Sequence, residues 1–167
     1  MAISYDLEMA TSSSPEQVAR ALLDAGRPLR LFEGSVTPEQ VSRDGAVTPL
    51  RTWVRVYERN PAPWSPVVTD LGITPTVAIG FGIYKHDRIP EQQDELVRLV
   101  TGLLDRVTGD AVLSGMETIW LIRRDGELIL NDRDDIWPEN RLATLPRPYR
   151  RKALAFSEVM LPDSAVD

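Results

Sequence analysis

Two apolar runs meet at a two-residue break: Ile119-Trp120-Leu121-Ile122-Arg123-Arg124, Asp125-Gly126, then Glu127-Leu128-Ile129-Leu130-Asn131. Asp-Gly suits a type I′ turn, whose central residues need positive φ and whose twist matches that of paired antiparallel strands. The spacing predicts a hairpin with Arg124 opposite Glu127, Arg123 opposite Leu128 and Ile122 opposite Ile129. The opposite charges of the first pair favour that register modestly. A sheet this apolar must be covered, and the run 90–108 is suited to cover it. Pro90 fits a first helical turn, and Glu91, Asp94 and Glu95 lie near the positive end of the helix dipole. Leu96, Leu99, Val100, Leu103, Leu104 and Val107 make the apolar stripe, Thr101 falls on the polar side, and Gly109 closes the helix.

The same patterning extends toward the N-terminus. Ile3, Tyr5, Leu7 and Met9 alternate with Ser4, Asp6 and Glu8, which predicts a half-buried strand over 2–10. Ser14-Pro15-Glu16-Gln17 opens a helix with a capping box. Its apolar face is Val18, Ala19, Leu22, Leu23 and Ala25, and Gly26 ends it. Thr37-Pro38-Glu39-Gln40-Val41 has the same start, and this second helix must stop near Gly45. Strands are predicted over 50–58 and 76–85. In the second, Val77, Ile79, Phe81 and Ile83 share one face; Ala78, Gly80, Gly82 and Tyr84 share the other, leaving a flat place for another segment. Asn60 to Pro66 holds three prolines and reads as a stiff loop. Beyond 131 the pattern weakens, and Leu154 to Leu161 fits a strand or a helix equally. The elements predict an α+β fold: a mainly antiparallel sheet with helices packed on one face. One domain over 1–167 is expected, with a flexible tail after about 161.

Composition narrows the function. The chain of 167 residues carries 19 basic and 25 acidic side chains, for a net charge of −6. Affinity for a phosphate backbone rests on cations, so nucleic acid is a poor partner. The balance fits an acidic surface that serves solubility or a basic partner. No cysteine is present, which excludes thiolate metal sites and cysteine nucleophiles, and His86 is the sole histidine. No apolar run is long enough to span a membrane, and the N-terminus lacks the pattern of a signal peptide. A cytoplasmic location is expected, with no cofactor. Gly80-Phe81-Gly82 lacks the third glycine and following helix of a nucleotide loop.

Few residues offer chemistry. Asp6 and Glu8 share a strand face about 6.6–7 Å apart, a spacing open to acid–base work. They also fit the solvated face of an edge strand, or ion pairs with Arg51 or Arg55. Asp132, Asp134 and Asp135 are the oxygen donors that hard cations such as Mg²⁺ take, without the spacing of a calcium loop. They also fit a loop that docks a basic partner. Trp137 beside them has the composition of a binding anchor with a charged rim, and equally that of a core-edge cover. His86 sits at a strand end with no nucleophile in view. Arg147, Arg150, Arg151 and Lys152 form the one basic cluster and are expected to pair with the acidic loop.

Two stretches resemble a known family. One runs from Ile3-Ser4-Tyr5-Asp6-Leu7-Glu8-Met9-Ala10-Thr11 into Pro15-Glu16-Gln17-Val18-Ala19. The other runs from Leu96-Val97-Arg98-Leu99-Val100 through Asp110-Ala111-Val112-Leu113 to the hairpin 120–131. They resemble small actinobacterial proteins grouped with the immunity proteins of the myxobacterial Sit toxin–immunity systems. The resemblance implies a protein that binds and silences a cognate toxin, and no catalytic residue carries over. The partner-binding residues expected on this reading are Asp132, Asp134, Asp135 and Trp137. The rival readings are a small enzyme using Asp6 and Glu8 or the 132–135 cluster with a metal, and an oligomerisation module.

Overall fold

The structure is a computed structural model and describes residues 3–157. Eight strands form one sheet in the order β2-β3-β4-β1-β5-β6-β7-β8: β1 (Ile3–Ala10), β2 (Ala46–Val47), β3 (Trp53–Glu58), β4 (Val77–Ile83), β5 (Asp110–Gly115), β6 (Thr118–Arg124), β7 (Glu127–Asn131) and β8 (Arg150–Lys152). Every neighbouring pair is antiparallel except β7 with β8. The helices are α1 (Pro15–Gly26), α2 (Pro38–Arg43), α3 (Pro66–Thr69), α4 (Ile89–Leu104) and α5 (Glu139–Leu142). The α+β architecture is as expected. The alternation of β1 and β4 sends Tyr5, Leu7, Met9, Val77, Ile79, Phe81 and Ile83 into the main core, with the buried faces of α1 and α4.

Several local expectations hold to the residue. Ser14 accepts from the Gln17 backbone N–H, and the Gln17 side chain accepts from the Ser14 N–H, so the capping box is complete. The hairpin pairs Arg124 with Glu127, Arg123 with Leu128 and Ile122 with Ile129, across Asp125 and Gly126 at φ 52° and 80°.

Other expectations change for identifiable reasons. The helix predicted to reach residue 108 ends at Leu104. The Arg123 guanidinium reaches over from β6 and donates to the carbonyls of Leu104, Val107 and Gly109, satisfying acceptors that a longer helix would have used itself. Gly109 instead starts the turn into β5. Its φ is 118°, and a Cβ there would lie 2.0 Å from the Ala10 carbonyl oxygen, so only glycine fits. Thr101 is buried at 7% exposure rather than on a polar face, and its hydroxyl donates to the Arg98 carbonyl. α4 packs against α1 and β4, and Arg141 of α5 bonds Asp94 and Gln93 in its first half.

The β5 strand was not expected, nor were β2, α3, α5 and β8. The loop from 60 to 76 contains α3, whose Val67 packs with Ile73, Val112, Ile119 and Ile122 on the sheet face away from α1 and α4. Leu154 and Phe156 extend that second, smaller cluster in neither strand nor helix. The remainder of the 154–161 stretch, and the tail after 161, lie outside the described residues.

Candidate functional site

The two acidic positions of β1 sit differently from either reading of them. β1 is a central strand between β4 and β5, not an edge. Asp6 accepts a hydrogen bond from the Tyr57 hydroxyl at 3.0 Å, and Glu8 accepts from Arg59 Nε at 2.9 Å. Arg51 and Arg55 are not their partners: Arg51 lies over the Tyr84 ring, and Arg55 faces the Ser42 carbonyl. Burial pushes the Glu8 carboxyl pKa upward against the opposing pull of Arg59. Both carboxylates are thus engaged inside the chain.

Burial, and then the negative charge of Asp6, push the Tyr57 hydroxyl pKa up to about 12. Its proton is the one donated to Asp6. The folded chain keeps that proton where the unfolded chain has lost it, so stability falls as pH rises from about 10 to about 12. A tyrosinate absorbance titration of the folded protein should show a late-ionising component that Tyr57→Phe removes. An unchanged curve in that variant would contradict the assignment.

The acidic loop hangs between two buried posts. At its start, Asn131 is 1% exposed. Its side-chain amide donates to the carbonyls of Ile119 and Leu154, and its oxygen accepts from the Arg133 N–H. At its end, Trp137 is also 1% exposed and donates its indole N–H to the Trp120 carbonyl at 3.2 Å. Trp137 is therefore the core-edge cover, and it offers no exposed indole for a partner to grip. Between the posts Asp132, Asp134 and Asp135 are exposed. Arg133 forks onto both Asp135 oxygens at 3.1 and 2.6 Å, and this hydrogen bonding holds the Asp135 carboxyl below its usual range. Asp134 meets Arg151 at 3.6 Å with its own side chain 96% exposed, a contact of small energetic worth. Among the described residues the cluster's one side-chain ion pair with the loop is that of Arg151, since Arg150 bonds Glu127 on β7 at 2.8 Å; the Lys152 carbonyl accepts from the Asp132 N–H. Among the described residues no three His, Asp or Glu side chains converge as a metal-binding set. His86 is exposed and packs edge-on to Tyr84.

Beside the loop lies a cleft of about 200 Å³ lined by Tyr5, Met116, Trp120, Asp135 and Arg141, among others. A bulge in the β5–β6 ladder makes it. The register shifts between Leu113 and Ser114, so the extra residue turns Trp120 as well as Leu121 into the main core. Trp120 then stands edge-on between Tyr5, at 5.1 Å, and Trp137, at 5.9 Å. Arg141 closes the cleft floor. It is 5% exposed and bonds Asp94 at 2.7 Å, the Ile136 carbonyl at 2.6 Å and Gln93 at 3.3 Å, with its guanidinium 5.2 Å from the Trp120 ring centre. Met116, at the mouth, is 64% exposed. Sequence reasoning named none of Tyr5, Trp120, Arg141 and Met116 as site residues. A wider groove of about 940 Å³ lies at the far end of the β6–β7 hairpin, but its Arg123 is committed to the carbonyls after α4.

By its fold this is an α+β protein whose two long helices, α1 and α4, cover one face of a largely antiparallel sheet while the short α3 packs on the other, with a bulged hairpin and an acidic loop at one end. A family model described as SitI3-like matches residues 3–141, and the chain belongs to the SitI3-like family. No curated protein and no solved structure matches it. Among the described residues no helix is long and apolar enough to cross a membrane.

Proposed function

We propose that the chain is an immunity protein of the Sit type, which binds a cognate bacterial toxin in the cytoplasm and silences it by covering its active surface. Membership of the SitI3-like family carries this reading. The whole chain acts as one binding domain, without catalysis of its own and without a cofactor. The docking surface proposed is the acidic loop, Asp132, Asp134 and Asp135. Trp137 serves it from beneath by fixing where the loop leaves the core. Three exposed carboxylates on a chain of net charge −6 suit a basic partner.

Surface charges of this kind act mainly on association, and their reach is screened over about 8 Å at physiological ionic strength. The test is stopped-flow association with a purified toxin domain, sought among the products of the genes neighbouring this one. Reversing Asp134 and Asp135 to lysine should lower the on-rate at low salt by about tenfold and flatten its salt dependence. A folded triple variant of Asp132, Asp134 and Asp135 that binds unchanged would remove the loop from the interface. No binding by the native chain would remove the immunity reading itself.

A further inference from the structure

The turn between β5 and β6 has a geometry that its residues do not favour. Gly115 pairs with Thr118, leaving Met116 and Glu117 as a two-residue loop, with φ 52° and 63°. Two positive φ values in succession are what a type I′ turn requires, and Asn-Gly or Asp-Gly supplies them at least cost. The next hairpin of the same sheet does so with Asp125 and Gly126. Methionine and glutamate have no side-chain means of relieving the left-handed conformation. Nor does the core compensate for it: Met116 is 64% exposed and belongs to neither hydrophobic cluster.

We infer that the Met116–Glu117 turn is the apolar anchor of the partner interface, received by an apolar pocket ringed with lysine or arginine on a basic toxin domain. The inference rests on the immunity reading and assigns the contact that Trp137, being buried, cannot make. Three features of the surface agree. Met116 and Asp135 line the same cleft, so an exposed apolar side chain and the acidic loop share one stretch of surface. Glu117 adds a further exposed carboxylate at the tip. Arg141 is buried on Asp94, and Arg133 and Asp135 offset one another as a pair, so the loop's negative charge toward a basic partner comes from Asp132 and the exposed Asp134. An unbranched, polarisable methionine adapts to such a pocket, and an apolar centre with a charged rim is the anatomy of a protein interface. Strain kept in an exposed turn is a common mark of a functional segment.

The experiment exploits the opposition between fold and function. Met116→Asn combined with Glu117→Gly places the favoured pair in the turn. Relief of two strained residues should raise the melting temperature by about 3–8 °C. The same variant should bind the toxin domain identified by the association experiment at least about tenfold more weakly. Met116→Leu should keep affinity within about threefold, because the apolar contact survives. A double variant that gains stability and binds as the native chain does would overturn the inference while leaving the immunity reading intact. Failure of the native chain to bind would overturn both. Self-association of the native chain, lost in the double variant, would assign the turn to a second copy and likewise overturn it.

Discussion

Trp137→Ala is expected to lower stability by about 3–5 kcal/mol, the usual cost of removing a fully buried large aromatic and leaving a cavity. On a chain this long that corresponds to a fall in melting temperature of roughly 6–20 °C. The indole is 1% exposed, stands edge-on to Trp120 and donates to the Trp120 carbonyl. Trp137→Phe should recover most of the packing and lose about 1–2 kcal/mol for the carbonyl left without its donor. Calorimetric melting of the three proteins checks both values. If Trp137→Ala melts with the native chain yet loses partner affinity, the side chain is an exposed anchor after all and its placement here is wrong.

Arg141→Ala should cost a similar amount, about 3–5 kcal/mol, for a different reason. Breaking one side of a buried ion pair strands the groups that it held. Here the stranded groups are the Ile136 carbonyl, the Gln93 amide oxygen and the Asp94 carboxylate, which is itself 25% exposed. Asp94→Ala alone should cost less, because the guanidinium keeps its carbonyl partner. Arg141 and Trp137 both pack on Trp120, so their losses should not add. Urea unfolding of the single and double variants would measure that coupling. A double variant whose loss equals the sum of the two would show that the cleft floor is not one cooperative unit. The two variants also guard the binding experiments, since either one can reduce binding merely by releasing the loop.

The pH and charge tests read other parts of the molecule. Tyr57 and Asp6 lie on the sheet face away from α1 and α4, whereas the acidic loop lies at the bulged hairpin. A variant at one should leave the other unmoved.

The legible parts of the fold were those whose cause is local. The Ser14–Gln17 capping box, the stripe of α4, the alternation of β1 and the Asp125-Gly126 hairpin each carry their reason within a few residues. β5 was illegible for the opposite reason. Its hairpin turns on Met116 and Glu117, which lack the turn chemistry that marked Asp125 and Gly126, and the bulge at Trp120 breaks the strand period. The end of α4 was misjudged because its last acceptors are satisfied by Arg123, nineteen residues beyond Leu104 in the chain. The site divides in the same way. The exposure of Asp132, Asp134 and Asp135 follows from a run of charge, since carboxylates seldom leave water unpaired. The burial of Trp137 depends on Trp120, whose ring it meets edge-on and whose carbonyl accepts its indole N–H, and Trp120 is turned inward by a bulge that only the assembled sheet creates.

By itself, then, the amino-acid order determined the longer patterned elements (β1, α1, α4 and the β6–β7 hairpin with its register), the α+β class and the acidic balance, because backbone propensity, period and charge are properties of short windows. Tertiary structure alone decided that β1 is central and its carboxylates are engaged, that Trp137 faces inward, and that Met116 faces out beside the acidic loop. Those outcomes depend on which distant strands pair and on which side of a bulge a side chain falls. A shift of one residue in a ladder exchanges the buried and exposed faces of a strand, and no short window contains the partner that sets it.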